Sequence, residues 1–373
     1  MKTPETSRLF TRWRNPANGV ESLILTHRVA PVQRPFYFTN PSFSDDGRFL
    51  WVECAYPPEG GYDAVPVLAV VDFAQDEMRV YHETQFATAR PLVDGRTGEV
   101  YWGNGLEIWK RGPLADDRPR LVNRFPTELA KGRQPYRVAT HLTMSADRRS
   151  VNLDAWIGAD VFVGDIPLDG SMPRIWEQGV RTFDHAQFSP TDPDAMLIAH
   201  EYWRDPASGP FDPAQRYHRI YTIRRGGKAM PLLREPVTHS GHEWWDADGR
   251  HVWYIHYGVG VKRVEVATRN EELLWPGHLA HGMTDRSSRY VVADSMADPV
   301  VCDCRVDFRD LRSGKEVRLV DRPPLAAHLT QCRHLHPHPL FCLGDRYVCH
   351  STTVHDRVDL ALVPTAELIA RTA

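Results

Sequence analysis

The sequence has little cysteine and no long apolar run. Its six cysteines among 373 residues show no zinc-finger spacing, and Cys302 and Cys304 are too close in the chain for an ordinary disulfide. Residues 1–18 contain no apolar core typical of a secretion signal, and no apolar stretch approaches membrane-spanning length. We therefore expect a reduced, cytoplasmic protein with no membrane partner.

An excess of charge of one sign is also lacking. The 45 lysines and arginines nearly balance the 48 acidic residues, so the formal net charge is −3. A nucleic-acid partner is not expected without a basic field. The sequence also lacks a phosphate-binding glycine loop, a coiled-coil heptad and a Gly-x-Ser-x-Gly elbow, and the missing elbow argues against a propeller peptidase with an appended hydrolase domain.

What the sequence does contain is a repeated polar turn followed by a short strand rich in β-branched and aromatic residues. The clearest copy is 241–257, GHEWWDADGRHVWYIHY, which reads as two antiparallel strands around a tight turn. Seven copies begin at Ser44, Asp94, Ser145, Ser189, Asp246, Asp285 and Cys342. Their spacing of roughly 40 to 57 residues suits four short strands per unit. The pattern predicts an all-β, single-domain, seven-bladed β-propeller.

The ends of the chain are expected to close the ring of blades. We predict an N-terminal arm over 1–18 and the propeller over 19–373. Residues 19–28 and 360–364 read as strands that share the closing blade, and a short helix is expected from Thr365. Residues 203–217, rich in proline and polar side chains, are expected to form a long loop near one mouth of the channel.

Histidine recurs at one position of the repeat. Four residues before each turn segment stand Asn40, Arg90, His141, His185, His242, His281 and His338. The innermost strand of each blade lines the central channel of a propeller, so one repeated position becomes a ring of side chains. A single histidine before a turn would be structural. Five in register favour a functional site.

A histidine-rich segment, residues 331–341, has the most potential metal ligands. On an extended strand His334, His336 and His338 would share one face, and Gln331 could join them if the strand bends. Neutral imidazoles suit manganese, iron, nickel, copper or zinc, and His281 could complete the site. The alternative is a hydrogen-bonded histidine ladder without an ion.

His242 and Arg219 form a second candidate group. A histidine can remove a proton at neutral pH, and an arginine can bind a carboxylate through two hydrogen bonds. An arginine on a strand is otherwise often part of a surface ion pair. His185, His200 and Glu201 would extend the polar lining, with Glu201 as a residue that orients a histidine.

At these residues the chain resembles the oligogalacturonate lyases, a seven-bladed propeller family of pectin breakdown. The matching segments are FYFTNPSFSDDGRFL, HAQFSPTDPDAMLIAHE, HRIYTI, GHEWWDADG, HGMTD with VVADS, and HPHPLF. They run in the family's order from about residue 20 to residue 365. SPTDP and HPHP are specific in combination, whereas the Asp-Gly turns occur in many propellers.

The resemblance implies a β-elimination lyase that acts on short uronic-acid oligosaccharides with a divalent ion, typically Mn²⁺. The resemblance implies that His242 is the proton-abstracting base and that Arg219 neutralises nearby charge. It also implies His281, His336 and His338 as metal ligands.

One position departs from the family pattern. The family has a glutamine ligand three residues before the first histidine of HPHP, where this chain has Arg333. Either Gln331 reaches the ion, or His334 replaces it, or the site differs. Substrate contacts are expected from His141, His185, His200, Arg90 and Arg333.

Two other functions fit the same ring. One is a non-catalytic propeller that binds an anionic sugar or a protein partner through the channel. The other is a different enzyme on this scaffold, such as a hydrolase that uses the ring's metal to activate water. The sequence predicts no particular oligomeric state.

Overall fold

A computed structural model describes residues 1–56, 66–205, 208–296, 304–320 and 336–373, apart from the side chains of Met296 and Cys304. These residues form seven antiparallel sheets arranged as the blades of a propeller, so the predicted fold class is confirmed. Each sheet consists of strands that are consecutive in the chain, except for the closing blade, which combines both ends.

The strands are short and follow one another blade by blade. The chain begins with β1 (Phe10–Arg14) and β2 (Glu21–Leu25). The first blade contains β3 (Val32–Arg34), β4 (Phe49–Ala55), β5 (Val67–Asp72) and β6 (Glu77–Tyr81). The second contains β7 (Ala89–Val93), β8 (Val100–Asn104), β9 (Glu107–Arg111) and β10 (Arg120–Arg124). The third contains β11 (Ser150–Ile157), β12 (Asp160–Pro167) and β13 (Arg174–Gly179).

The remaining blades repeat this order. The fourth contains β14 (Phe183–Phe188), β15 (Ala195–His200), β16 (Ile220–Arg224) and β17 (Met230–Pro231). The fifth contains β18 (Ser240–Trp245), β19 (His251–His256), β20 (Gly260–Glu265) and β21 (Glu271–Pro276). The sixth contains β22 (Gly282–Thr284), β23 (Tyr290–Met296), β24 (Cys304–Asp310) and β25 (Glu316–Val320). The closing blade adds β26 (Leu340–Cys342), β27 (Tyr347–Thr352) and β28 (Asp359–Pro364).

The closing blade joins the two ends of the chain. Strand β2 pairs with β28 through Leu23 opposite Leu362, and β1 forms the outer edge of the same sheet. Residues 10–14 lie within the predicted arm, yet they form this edge strand. The reason is a tertiary contact, because Phe10 is buried and its ring stacks 5.9 Å from that of Phe73.

Helices are few in the described residues: α1 (Thr127–Ala130), a 3₁₀ turn (Tyr202–Arg204) and α2 (Thr365–Thr372). None of these helices is long and apolar enough to cross a membrane. The helix expected from Thr365 is present as α2. Three of the cysteines, Cys54, Cys342 and Cys349, are buried and free of disulfides.

The core lies between the faces of neighbouring blades. Large side chains such as Trp51, Trp102, Trp244 and Trp253 are buried there. Burying one large apolar side chain contributes about 1.5–3 kcal/mol. This packing fixes the positions of the blades relative to one another. It therefore also fixes the ends of the inner strands, where the repeated position of the sequence faces the channel.

Candidate functional site

The inner strands carry irregularities at the histidine positions. His185, His242 and His338 have φ angles of 49°, 53° and 48°. The register of β14 shifts between Asp184 and Gln187, and that of β18 shifts between Gly241 and Trp244. A left-handed backbone is uncommon outside glycine, and a bulge re-aims the side chain that it carries. The bulges therefore redirect the histidines of these strands.

The histidines of the ring meet in two groups. The ring centroids of His242 and His281 are 3.8 Å apart, and those of His281 and His338 are 4.4 Å apart. His141 and His185 form a second pair with centroids 5.9 Å apart. The five histidines that share one repeat position therefore converge, as the ring hypothesis predicted.

An aromatic pair that the sequence reasoning missed joins these groups. Tyr37 contacts His141, His185 and His338, with ring centroids 5.0, 6.1 and 5.2 Å away. Phe38 is fully buried and contacts His242, His281 and His338 at 5.8, 5.6 and 6.4 Å. The sequence signal for this pair was the aromatic run FYF that follows β3, because a turn on the surface is usually less apolar.

The two ring positions that are not histidine have other contacts. The side-chain amide of Asn40 donates to the carbonyl oxygens of Pro91 and Leu142, at 2.8 and 2.7 Å, and so ties neighbouring blades together. Arg90 donates from Nη1 to Glu53 Oε1 at 3.0 Å. His141 is fully buried, and its two ring nitrogens have no hydrogen-bond partner among the described residues.

Three histidines form a candidate metal site. His281, His336 and His338 each offer one nitrogen, and these atoms lie within 4.8 Å of one another. His336 and His338 precede β26 rather than lie in a strand, so the expected alternation of faces does not explain their convergence. His338 instead has a left-handed backbone.

Asp294 on β23 orients this site. Both of its carboxylate oxygens lie 3.0 Å from Nδ1 of His281, and they also accept the backbone N–H groups of His281 and His338. A histidine that donates from Nδ1 to a carboxylate presents its Nε2 lone pair to a metal. Three imidazoles, one of them held in this way, fit a divalent transition-metal ion. Sequence reasoning assigned no role to Asp294, although a carboxylate in the apolar run VVADS was a usable signal.

Two predicted metal ligands, Gln331 and His334, and the predicted substrate contact Arg333 lie outside the described residues. Two other groups in the described part of the chain have ligand atoms that lie similarly close together, Asp184 with His185 and Glu201, and Asp246 with Asp248 and His251. The first contains two carboxylates already bonded to arginines, and the second spans the turn between β18 and β19.

The neighbours of His242 determine which of its ring nitrogens carries the hydrogen. Its Nδ1 contacts the carbonyl oxygen of Ala280 and lies 2.8 Å from the hydroxyl oxygen of Tyr257. A carbonyl only accepts, so Nδ1 carries the hydrogen and Nε2 keeps the lone pair. Burial, followed by the charges of His281 and Arg219, lowers the pKa of His242 well below its usual value. The ring is therefore neutral at pH 7.

Gly241 makes room for this arrangement. A Cβ atom at this position would lie 2.9 Å from the hydroxyl oxygen of Tyr257 and 3.5 Å from Nε of Arg219. A side chain here would push Tyr257 away from His242. The Gly-His pair in GHEWW therefore has a steric basis.

Arg219 lies just before β16 and is 3% exposed. Its Nη1 donates to Glu201 Oε1 at 2.6 Å and its Nε donates to Glu243, whereas Nη2 forms no hydrogen bond within the described residues. Burial opposes the cation, but Glu243 and Glu201 more than offset this and raise the pKa of Arg219. Glu201 thus binds an arginine, where a histidine was expected.

His185 and His200 have different surroundings. His185 lies 2.8 Å from Asp184 through Nδ1, and although burial disfavours the charged ring, the carboxylate raises the pKa of His185. His200 instead bonds Asp205 through Nε2 at 2.6 Å and packs against Phe183. The structure brings His185 to the ring and directs His200 away from it.

Two cavities lie on either side of segment 37–39. A cavity of about 490 Å³ includes Tyr37 and His185 in its lining, and another of about 300 Å³ includes Thr39 and Trp244. The larger cavity also contains Arg90, Asp184 and Glu201 in its walls. It therefore connects the ring to a polar chamber of the size typical of small-molecule sites, roughly 300–1,000 Å³.

Comparison with known proteins places this arrangement in a structural context. No protein-family model and no curated protein sequence matches the chain. An oligogalacturonate lyase in complex with manganese superposes with a TM-score of 0.74 and 16% identity, covering 98% of each chain. Another, from Vibrio parahaemolyticus, gives 0.73 and 15%, covering 95% of this chain and 96% of that one.

A more distantly similar propeller shows how high these TM-scores are. The β-propeller domain of Swd1 from a Myceliophthora fungus gives a TM-score of 0.53 at 11% identity, covering 88% of this chain and 97% of that one. The two lyases superpose much better over almost the full length. The chain therefore has the seven-bladed β-propeller fold of the oligogalacturonate lyases.

Proposed function

We propose that this protein is a metal-dependent lyase that cleaves short uronic-acid oligosaccharides, similar to oligogalacturonate, by β-elimination. One observation carries the proposal: His242, whose Nδ1 contacts the carbonyl oxygen of Ala280, lies beside the three-histidine cluster, with its ring centroid 3.8 Å from that of His281. A base beside a metal site is the combination that proton removal next to a carboxylate requires.

His281, His336 and His338 would hold the ion, with Mn²⁺ the expected species. When bound there, a divalent ion stabilises the negative charge that develops on the uronate carboxylate. Gln331 or His334 remains the proposed additional ligand. Asp294 holds His281 in the tautomer that this role needs.

His242 would take the proton from the carbon next to the carboxylate, C5 of the uronate, at its Nε2 atom. The electron pair of the broken C–H bond forms the C4–C5 double bond, and the bond from C4 to the glycosidic oxygen breaks. The leaving oxygen takes up a proton. A positioned base contributes about 10²- to 10⁴-fold to the rate of such a step.

Arg219 would lie at the charge that builds up beside this base. Its two carboxylate partners hold the guanidinium rigidly, and Nη2 is not used by any bond within the described part of the chain. A fixed donor of this kind stabilises developing negative charge without reorganising during the reaction. His141, His185, Arg90 and Arg333 are proposed to contact the substrate.

Product analysis distinguishes this reaction from hydrolysis on the same scaffold. Elimination yields one fragment that is lighter by one water than the corresponding hydrolysis product, so mass spectrometry of digested galacturonate oligomers separates the two. The proposal predicts the lighter, unsaturated fragment. If both product fragments are saturated, the protein is a hydrolase and the lyase proposal is wrong.

The His242→Ala variant separates the lyase from a protein that only binds sugars. We expect it to lose turnover while galacturonate oligomers still bind in calorimetry. His251→Ala is the matched control, because that histidine begins β19 and bonds Asp246 in the adjoining turn. Full turnover in His242→Ala would show that His242 is not the base.

A further inference from the structure

The larger cavity has two arginines held against one indole ring. The Cζ atom of Arg137 lies 4.0 Å and that of Arg204 lies 5.6 Å from the centre of the Trp156 ring. Both arginines line the cavity of about 490 Å³. Two guanidinium groups that share one aromatic ring repel each other, so the arrangement favours an anion that contacts both.

Each of these arginines lies next to a carboxylate of the cavity wall. Arg137 donates from Nη2 to Asp184 at 2.9 Å, and Nε of Arg204 lies 4.0 Å from Glu201. A guanidinium has five N–H donors. The bond to Asp184 uses one donor of Arg137. Arg204, by contrast, is only at ion-pair distance from Glu201 and has a hydrogen bond to Tyr136. The Nε atom of Arg137 is buried and has no hydrogen-bond partner among the described residues. The carboxylates therefore position the arginines without using all of their donors.

The remaining wall of the cavity suits a sugar. Tyr136, 64% exposed, lines the cavity and lies beside Trp156, with ring centroids 5.9 Å apart. A flat apolar ring next to fixed hydrogen-bond donors is typical of a site that binds a polar molecule with apolar faces. Arg90 also lines the cavity, with Glu53 as its partner.

The cavity begins next to the candidate metal ligands. Tyr37 lines it and also contacts His338, with ring centroids 5.2 Å apart. A chain of sugars that has one unit at the metal and base would therefore extend past Tyr37 into the cavity. One unit of such a ligand would occupy the metal site, and a later unit along the chain would occupy the cavity.

From this geometry we propose that Arg137 and Arg204 bind the carboxylate of a second uronate unit, one that lies beyond the unit whose proton is removed. The inference rests on the proposed function and deepens it. It makes these two arginines the residues that favour an oligosaccharide with carboxylates on successive units over a single uronate or a neutral sugar. Arg204, with its side chain 44% exposed, is the better probe, because Arg137 is largely buried.

Calorimetry on the metal-loaded His242→Ala chain tests this subsite without turnover. The ligands are galacturonate, its trimer and the neutral galactose trimer. Arg204→Gln is expected to weaken trimer binding about tenfold, the usual effect of losing a charged hydrogen bond, and to leave monomer binding unchanged. Arg204→Lys keeps the charge but loses the planar fork, so an intermediate loss is expected.

Arg250→Gln is the matched control, since Arg250 lies in an exposed turn and pairs with Asp248. Circular dichroism of each variant confirms that it is folded. If trimer affinity is unchanged in Arg204→Gln, or if the neutral trimer binds equally well, the subsite is wrong and the lyase stands. If no uronide binds to the His242→Ala chain at all, the proposed function fails together with the subsite.

Discussion

The two carboxylate oxygens of Asp294 lie 3.0 Å from Nδ1 of His281, and the same carboxylate accepts the backbone N–H of His338. One fully buried aspartate thus holds two of the three proposed metal ligands, which come from different blades. The geometry of the metal site depends on a residue that would not touch the ion.

Replacing Asp294 by asparagine should weaken the site without removing a ligand. Loss of such a partner typically lowers metal affinity about 10- to 100-fold. Competition with a chelator of known affinity measures the change for Mn²⁺. Asp310→Asn, in the same blade but bonded to Arg289, serves as the control. Equal Mn²⁺ affinity in Asp294→Asn and the unchanged chain would contradict the orienting role.

Replacing His336 by alanine should remove bound metal and activity together, because one of three described ligands is lost. Elemental analysis after metal loading and dialysis gives the metal content. His256→Ala is a suitable comparison, since His256 bonds Thr238 away from the cluster. Full metal content in His336→Ala would rule out the ligand assignment.

Tyr257→Phe should lower kcat with little change in KM. The hydroxyl group lies 2.8 Å from Nδ1 of His242 and helps to hold the ring, and a single hydrogen bond contributes about 1 kcal/mol, or roughly fivefold in rate. Steady-state kinetics on galacturonate oligomers measure the two constants. Tyr221→Phe, whose ring packs on Phe183, should change neither. A rise in KM alone would assign Tyr257 to substrate binding.

Arg219→Met should destabilise the fold as well as impair the site. It would leave Glu201 and Glu243 buried without their cation, which typically costs about 3–5 kcal/mol. Denaturant unfolding measures the free energy of unfolding, with the exposed Arg250→Met as control. A loss below 1 kcal/mol would show that the two glutamates are stabilised by other means.

Cys54 should resist alkylation while the protein is folded. The side chain is fully buried, and burial raises the pKa of the Cys54 thiol to about 12, so almost no thiolate is present at pH 8. Peptide mapping after iodoacetamide treatment should find Cys54 modified only in denaturant. Modification of the native protein at the rate of a free thiol would show that the first blade opens readily.

The fold was predictable because its signals are local and repeated. The polar turns and short apolar strands recur in each blade, and seven copies indicate a closed ring of sheets. The edge strand β1 was missed because Phe10 and its neighbour Leu9 are a short apolar pair within a polar segment. Their burial against the first blade depends on the tertiary structure.

The site was predictable only in part. The shared repeat position predicted that His242, His281 and His338 lie close together, because a propeller converts register into a ring. The bulges that redirect His185 and His242 depend on cross-strand pairing, and the sequence alone does not specify them. Tyr37, Phe38 and Asp294 reach the ring from a connecting segment and a second strand, so no repeat position marks them.

The most direct test of the central claim is a continuous ultraviolet assay with short galacturonate oligomers. It is run on the chelated protein and again after Mn²⁺ is added back. The unsaturated uronate formed by elimination is conjugated with its carboxylate and absorbs in the ultraviolet. We expect no rise in absorbance without metal and a steady rise with it, abolished in His242→Ala. Cleavage of the oligomers with no rise in absorbance would contradict the account.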